Sequence, residues 1–395
     1  MDIQDADGVG RRVRAARKIA GLTQRQLAGR AHVSVSRVKQ VEQAKVPASP
    51  AFTAGVARAL GLSVADLYDQ PTPRFGSERA HVADLETAIM EGPATVLPGP
   101  VRPLAELVKQ VNEVGELQRR SRYDTSSVLL ADVVRHLHVA AAESVGGPAA
   151  ERSHRELATA YGHALICLHR LGSPLAGLAA ERGRDAAALS GDPLLAALAD
   201  QDRSLPLMHR GAYATAAALV ERVQAGLADH WSTPQSLSVR GAMHLRSAII
   251  GARAGSSSTA DAHLAEARDL AERLPALADH YDTAFCLPNV QVHAVAAAVE
   301  LCDGTTAVAR ADGVQFPAGM MRSRLGHHHV DLARGWLLHG DTARALATLN
   351  HARELAPQLV RYHPQVHETV RVIAERQRRA SEPFTRFVRW LAIPV

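Results

Sequence analysis

From residue 104 to about 380 the apolar residues of this chain recur every three to four positions. No stretch alternates with period two for long enough to build a strand. That pattern confines most of the chain to amphipathic helices. Aromatic residues are only 4% of the sequence, so the core must be made of Ala, Leu and Val, which suits close-packed helices better than sheets. The expected fold class is all-α. With 395 residues, 47% hydrophobic and 22% charged, the chain is long enough for two or three globular domains and is not of disordered composition.

Cys167, Cys286 and Cys302 are far apart in sequence, which excludes a disulfide framework and a CxxC metal knuckle. No apolar run approaches the roughly 18 residues of a membrane span. The start, MDIQDADGVGRR, is acidic and lacks an apolar h-region, so no signal peptide and a cytoplasmic location are expected.

A weak internal repeat runs through the helical stretch. A helix ends in Gly, a short turn follows, and a second helix opens with small residues. The turn glycines are Gly172, Gly211, Gly255, Gly304 and Gly340, with gaps of 39, 44, 49 and 36 residues. That spacing is near the period of helical-hairpin solenoids, in which each unit buries its face on its neighbours. Residues 92–103 hold four prolines and two glycines, and with the 70–80 segment they read as hinges.

Charge is concentrated at the N-terminus. Residues 1–70 carry 11 Lys and Arg against 6 Asp and Glu, which is the whole net charge of +5; the other 325 residues carry 34 of each sign. Residues 11–45 hold ten basic groups and one acid, Glu42. Such a balance in a compact segment is an electrostatic footprint for a polyanion. Locally the segment reads as five short helices. Thr23 and Gln26 form a capping box, Ser34 and Ser63 are N-caps, and Gly21 and Gly61 are stops. Glu42, an acid within the basic patch, is expected to pair with Arg12 or Arg17 rather than to meet DNA.

The string Leu22-Thr23-Gln24-Arg25-Gln26-Leu27-Ala28, then Val33-Ser34-Val35-Ser36-Arg37-Val38, Val41-Glu42, Pro50 and Ala59-Leu60-Gly61 resembles the Cro-type, lambda-repressor-like helix-turn-helix of the xenobiotic-response-element family. His32 and Ala44 stand where that family usually has Gly. The C-terminal residues are similar to a tetratricopeptide-type solenoid, and the combination resembles bacterial regulators with a helical-repeat sensor. The resemblance implies a helix-turn-helix DNA-binding domain over 1–70, a linker with a short helix over 71–103, and a tetratricopeptide-like sensor and dimerisation domain over 104–395.

By position in the family, Val35, Ser36, Arg37 and Gln40 should face bases, with Arg37 on guanine and Gln40 on adenine. Gln24, Lys39 and Lys45 should meet phosphate. One such domain has too small an interface for specific binding, so a homodimer on a palindromic double-stranded operator is expected. Arg240, His244, Asn289, His293 and Arg324 sit on first helices of hairpins and are candidates to line a groove for a peptide or small-molecule ligand. His327-His328-His329 cannot ligate one metal on a straight helix, since successive residues point about 100° apart. No hydrolase elbow, phosphate loop or dinucleotide fingerprint is present, so neither catalysis nor a cofactor is expected. The expected function is a ligand-responsive transcriptional regulator. The alternative is a helical-repeat scaffold that recruits a protein partner to DNA.

Overall fold

The computed structural model describes residues 8–68, 77–144, 146–227, 233–277, 279–377 and 381–392. Residues 1–7 and 69–76, which hold the acidic start and most of the first expected hinge, lie outside the described residues. Those described are helical with no strand among them.

The N-terminal unit comprises α1 (Gly8–Ile19), α2 (Gln24–Ala31), α3 (Val35–Glu42), α4 (Pro50–Leu60) and α5 (Val64–Leu67). Its core gathers Val9, Val13, Leu27, Val38, Val41, Phe52, Val56 and Leu67. The local signals act as their chemistry requires. Thr23 Oγ1 accepts from the Gln26 amide while the Gln26 side chain accepts from the Thr23 amide. Ser34 caps α3, and Ser63 and Asp66 form a second capping box on α5. His32 ends α2 at φ 55 and Ala44 follows α3 at φ 50, so both occupy the left-handed region that glycine usually fills. Gly10 is required for another reason: a Cβ there would lie 2.0 Å from the Val41 carbonyl oxygen, so α1 and α3 meet backbone to backbone.

The rest of the chain is α6 (Ser77–Glu91), α7 (Leu104–Arg119), α8 (Tyr123–Glu143), α9 (Gly147–Arg170), α10 (Ala176–Ala188), α11 (Pro193–Asp202), α12 (Ser204–His209), α13 (Tyr213–Gly226), α14 (Pro234–Arg253), α15 (Ser257–Ala271), α16 (Leu287–Glu300), α17 (Gly304–Ala311), α18 (Arg322–His339), α19 (Thr342–Leu355), α20 (Pro357–Tyr362), α21 (Pro364–Arg376) and α22 (Glu382–Leu391). Antiparallel hairpins form from α9 with α10, α12 with α13, α14 with α15, α16 with α17, and α18 with α19, and the first helices α14, α16 and α18 stack side by side. Gly172, Gly211, Gly255 and Gly340 have positive φ at the hairpin corners, as the repeat implies. Gly304 does not. In that corner Cys302 takes the left-handed conformation at φ 61. Gly304 instead lets α17 press on α18, because a Cβ would fall 2.5 Å from the His339 nitrogen.

Two features depart from a freely flexing row of repeats. First, the row closes on itself. One apolar core joins residues between Val82 and Ala199 to residues between Val330 and Leu391, and α7 touches α18. The amides of Tyr123 and Asp124 both donate to Gln358 Oε1, at 2.7 and 3.2 Å. Arg119 pairs with Asp282 at 2.9 Å, and the Tyr281 hydroxyl donates to Asp192 at 3.0 Å. Second, the chain that follows each expected hinge is fixed to the core. Val82, Leu85 and Ile89 of α6 are buried in the same core, and after the Pro-rich segment the Arg102 amide donates to His136 Nδ1 at 3.3 Å.

Candidate nucleic-acid interface

Three helices present the recognition element. α2 and α3 make the helix-turn-helix, and α1 braces both through a buried ion pair. Arg17 Nε and Nη2 donate to the two Glu42 carboxylate oxygens at 2.6 and 2.9 Å, and Arg17 Nη1 donates to the Leu22 carbonyl at 2.8 Å. The pair is inside the fold, with side chains 11% and 2% exposed. The carboxylate beside it holds the Arg17 guanidinium above its usual range. This is the role expected for Glu42, with Arg17 as the partner seen.

The seven expected DNA-contacting residues fall into three groups. Ser36, Lys39, Gln40 and Lys45 are exposed. Val35 is half-buried and packs on the domain core. Gln24 and Arg37 are already engaged within the protein. Gln24 Nε2 donates to Glu42 at 2.8 Å, so its side chain serves the buried pair rather than pointing away from it. Arg37 Nη2 donates to the Pro47 carbonyl at 3.1 Å and to Cys302 Sγ at 3.2 Å. Arg11, Arg14, Lys18, Arg25 and Arg30 add exposed positive charge on α1 and α2.

Cys302 belongs to the α16–α17 corner, 265 positions along the chain from Arg37. It is one of several contacts that seat the N-terminal unit on the helical repeats. The centre of that seat is Glu368 of α21, which accepts from the amides of Val9 and Ala48 at 3.4 and 3.3 Å. Burial pushes this carboxyl above its usual range, while the two amides and Arg371 draw it back down. Gln365 Nε2 donates to the Tyr68 hydroxyl at 2.7 Å. Arg376 donates to the Lys45 carbonyl, and Arg11 pairs with Glu375 at 2.7 Å. At the α12–α13 corner a Cβ on Gly211 would come within 2.7 Å of Ala54 Cβ. The expected hinges therefore do not leave this unit free of the repeats.

The five candidate ligand residues divide between two faces. His244 is buried and its Nδ1 lies 3.0 Å from His263 Nδ1 of α15, so it points into its own hairpin, where burial first, then His263 and Arg240, lower its pKa to about 4. Asn289 is buried, Nδ2 donating to the Ala284 carbonyl, and its own carbonyl accepts from His293 Nδ1 at 2.8 Å. His293 and Arg324 do come together: burial first, then the Arg324 charge, lower the His293 pKa to about 4. The sequence reading missed the residues that share this second face, Arg170, Arg253, His327 and His363. The signal was present as seven-residue spacing, Arg246 with Arg253 on α14, His293 with Glu300 on α16, and Arg324 with Asp331 on α18. Seven residues are nearly two helical turns, so each pair shares a face.

The three consecutive histidines diverge as their spacing demands. His327 faces His363 at 5.8 Å between ring centroids, His328 faces Phe316 at 4.8 Å and His329 faces His351 at 4.5 Å. Among the described residues no group of three or more His, Cys, Asp or Glu is placed to hold a metal ion, and no helix is long and apolar enough to cross a membrane.

No curated protein and no solved structure matches the chain. Residues 9–68 match the family model described as a helix-turn-helix domain, the same bounds that enclose the capped α2–α3 pair and its bracing helix, and the N-terminal unit is a helix-turn-helix DNA-binding domain.

Proposed function

We propose that the chain is a sequence-specific transcriptional regulator of the xenobiotic-response-element kind, working in the cytoplasm as a homodimer on a palindromic operator. Its helical repeats, tetratricopeptide-like in their hairpins, form the sensing part that takes a peptide or small molecule, and the chain performs no catalysis. Arg37 reads guanine through O6 and N7, Gln40 reads adenine, Val35 and Ser36 lie along the base edges, Lys39 and Lys45 hold phosphates with their side chains, and Gln24 does so through its backbone amide at the start of α2.

The observation that carries this reading is the hydrogen bond from Arg37 to Cys302 Sγ. It ties the side chain best suited to read a base to a corner of the repeat region. A ligand that shifts that corner changes how readily Arg37 reaches a base. The coupling needed is modest, since about 1–3 kcal/mol changes occupancy roughly 5–150-fold.

The test uses the full chain on a duplex selected from a random pool. Cys302→Ala removes the tie between Arg37 and the repeats and leaves its bond to the Pro47 carbonyl, within the N-terminal unit, in place. It should bind the selected duplex at least about fivefold more tightly than the unsubstituted chain, at the lower end of such couplings, with two protein copies per duplex. Equal affinity in both proteins, or one copy per duplex, would overturn the reading.

A further inference from the structure

The first helices of the hairpins share an inner face, and charge on that face does not balance. Glu300 takes two arginines, Arg253 at 3.3 Å and Arg334 at 3.1 Å, and Asp331 also meets Arg334 at 2.8 Å. Asp202 meets Arg246 at 3.6 Å. Arg170 and Arg324 have no carboxylate within 4.0 Å among the described residues. Arg170 lies against the Tyr123 hydroxyl, and its Nε is buried with no hydrogen-bond partner. These five arginines thus face three carboxylates in contact, and Asp279 acts on Arg324 from farther off, which leaves an excess of one positive charge.

The arginines are close enough to act on one another. Burial, then the charges of Arg170 and Arg246 among others, lower the Arg324 pKa, and burial also lowers those of Arg170 and Arg246. The histidines between them add no charge. Burial and the same arginines hold His327 and His363 well below the usual imidazole range and His293 at about 4. Arg170, Arg246 and Arg324 are half-buried; crowded cations with too few counter-charges are costly, and an anion seated among them offsets that cost.

We propose that Arg170 and Arg324, with Arg246 beside them, bind a small oxyanion carrying two or more negative charges on the inner face of α9, α14 and α18. Guanidinium forks match phosphoryl and carboxylate oxygens two at a time, so both chemistries fit the site. Two guanidinium groups without a carboxylate in contact, Arg170 and Arg324, set the valence at two, which a monocarboxylate does not meet. The site gives a chemical class to the ligand of the sensing reading above and rests on that reading only for its effect on DNA.

The experiment titrates the full chain with pyrophosphate and with citrate by calorimetry. Saturable binding is expected at low millimolar concentration or tighter, that is, Kd of about 1 mM or below. Arg170→Gln and Arg324→Gln should each weaken it roughly 10–100-fold, as for loss of a charged hydrogen bond. Arg222→Gln, on the exposed surface of α13, should leave it unchanged. A preference for pyrophosphate assigns a phosphoryl ligand and a preference for citrate a polycarboxylate.

A second readout separates binding from architecture. Without anion, the two glutamine variants should melt no lower than the unsubstituted chain, because each removes an unbalanced cation. Arg324→Lys keeps the charge but loses the fork, so it provides a folded comparison with intermediate affinity. No saturable binding of either anion, or binding unchanged in both glutamine variants, overturns the proposal. If anion binding is intact but affinity for the selected duplex does not change at saturation, the anion site stands and the sensing reading falls.

Discussion

Arg17→Met isolates the interaction on which the geometry of the DNA-binding unit depends. In the folded chain Arg17 makes two hydrogen bonds to Glu42 and one to Leu22, and both charged side chains are inside the domain. Removing the cation strands a carboxylate that is 2% exposed and, among the described residues, keeps the Gln24 amide as its side-chain partner. Such a loss costs about 3–5 kcal/mol. A unit spanning residues 8–68 holds on the order of 3–9 kcal/mol at roughly 0.05–0.15 kcal/mol per residue. The loss therefore takes from a third of that stability to all of it. Hydrogen exchange of the full chain reads the effect locally. Amides of α1 to α3 should exchange about two to four decades faster, since each 1.36 kcal/mol is tenfold. Duplex binding should fall in parallel. Arg17→Met combined with Glu42→Leu removes both charges and fills the space with apolar groups, so it should recover most of the protection. Acceleration of less than tenfold in Arg17→Met, or a double variant as damaged as the single one, would refute the reasoning.

Two further outcomes follow from packing and titration. Gly10→Ala gains up to about 1 kcal/mol of helix propensity but forces α1 away from the Val41 carbonyl, a strain of typically 1–3 kcal/mol or more; a net loss of duplex binding is expected, and a variant that binds as well as the parent would contradict the close approach. His169, His293, His327 and His363 all have pKa values lowered in the folded chain, mainly by burial. The unfolded chain then binds more protons below about pH 6.5, so their contribution is complete above that pH and is lost as pH falls toward 4. Each histidine can add about 1.4 kcal/mol per pH unit within that window. Asp202, raised to about 6, and Glu156, Asp279, Asp331 and Glu368, also raised mainly by burial, act in the opposite sense, but they are five groups against thirteen histidines lowered among the described residues. Urea midpoints should decline from pH 6.5 to 5; a flat profile would show that these imidazoles are not held neutral.

The helix-turn-helix was legible because its determinants are local. Thr23 with Gln26 and Ser34 with the Arg37 amide lie three residues apart, and a sequence displays them in full. The pairing of Glu42 was legible from sign alone, as one acid among ten bases. The Gly304 corner was misread because a glycine needed for close approach and a glycine needed for positive φ look the same in sequence. The closure of the repeats and the seating of the N-terminal unit were hidden for another reason. Glu368 meets Val9 across 359 positions and Gln365 meets Tyr68 across 297, and no periodicity carries such pairings. The inner arginines lay between these cases. Their seven-residue spacing was visible, but only the stacking of α14, α16 and α18 puts the stripes on one face.

The central claim is that this chain reads DNA sequence through α3 with Arg37. Selection of duplexes from a random pool by the full chain, repeated with Arg37→Ala and Lys45→Ala, tests it most directly. The unsubstituted chain should enrich two inverted half-sites centred about one helical turn apart, roughly 10 base pairs. Arg37→Ala should lose preference at one base pair of each half-site, worth about 1–3 kcal/mol, and Lys45→Ala should keep the motif but weaken all sequences alike. No enriched motif, or the same motif from Arg37→Ala, would contradict the account.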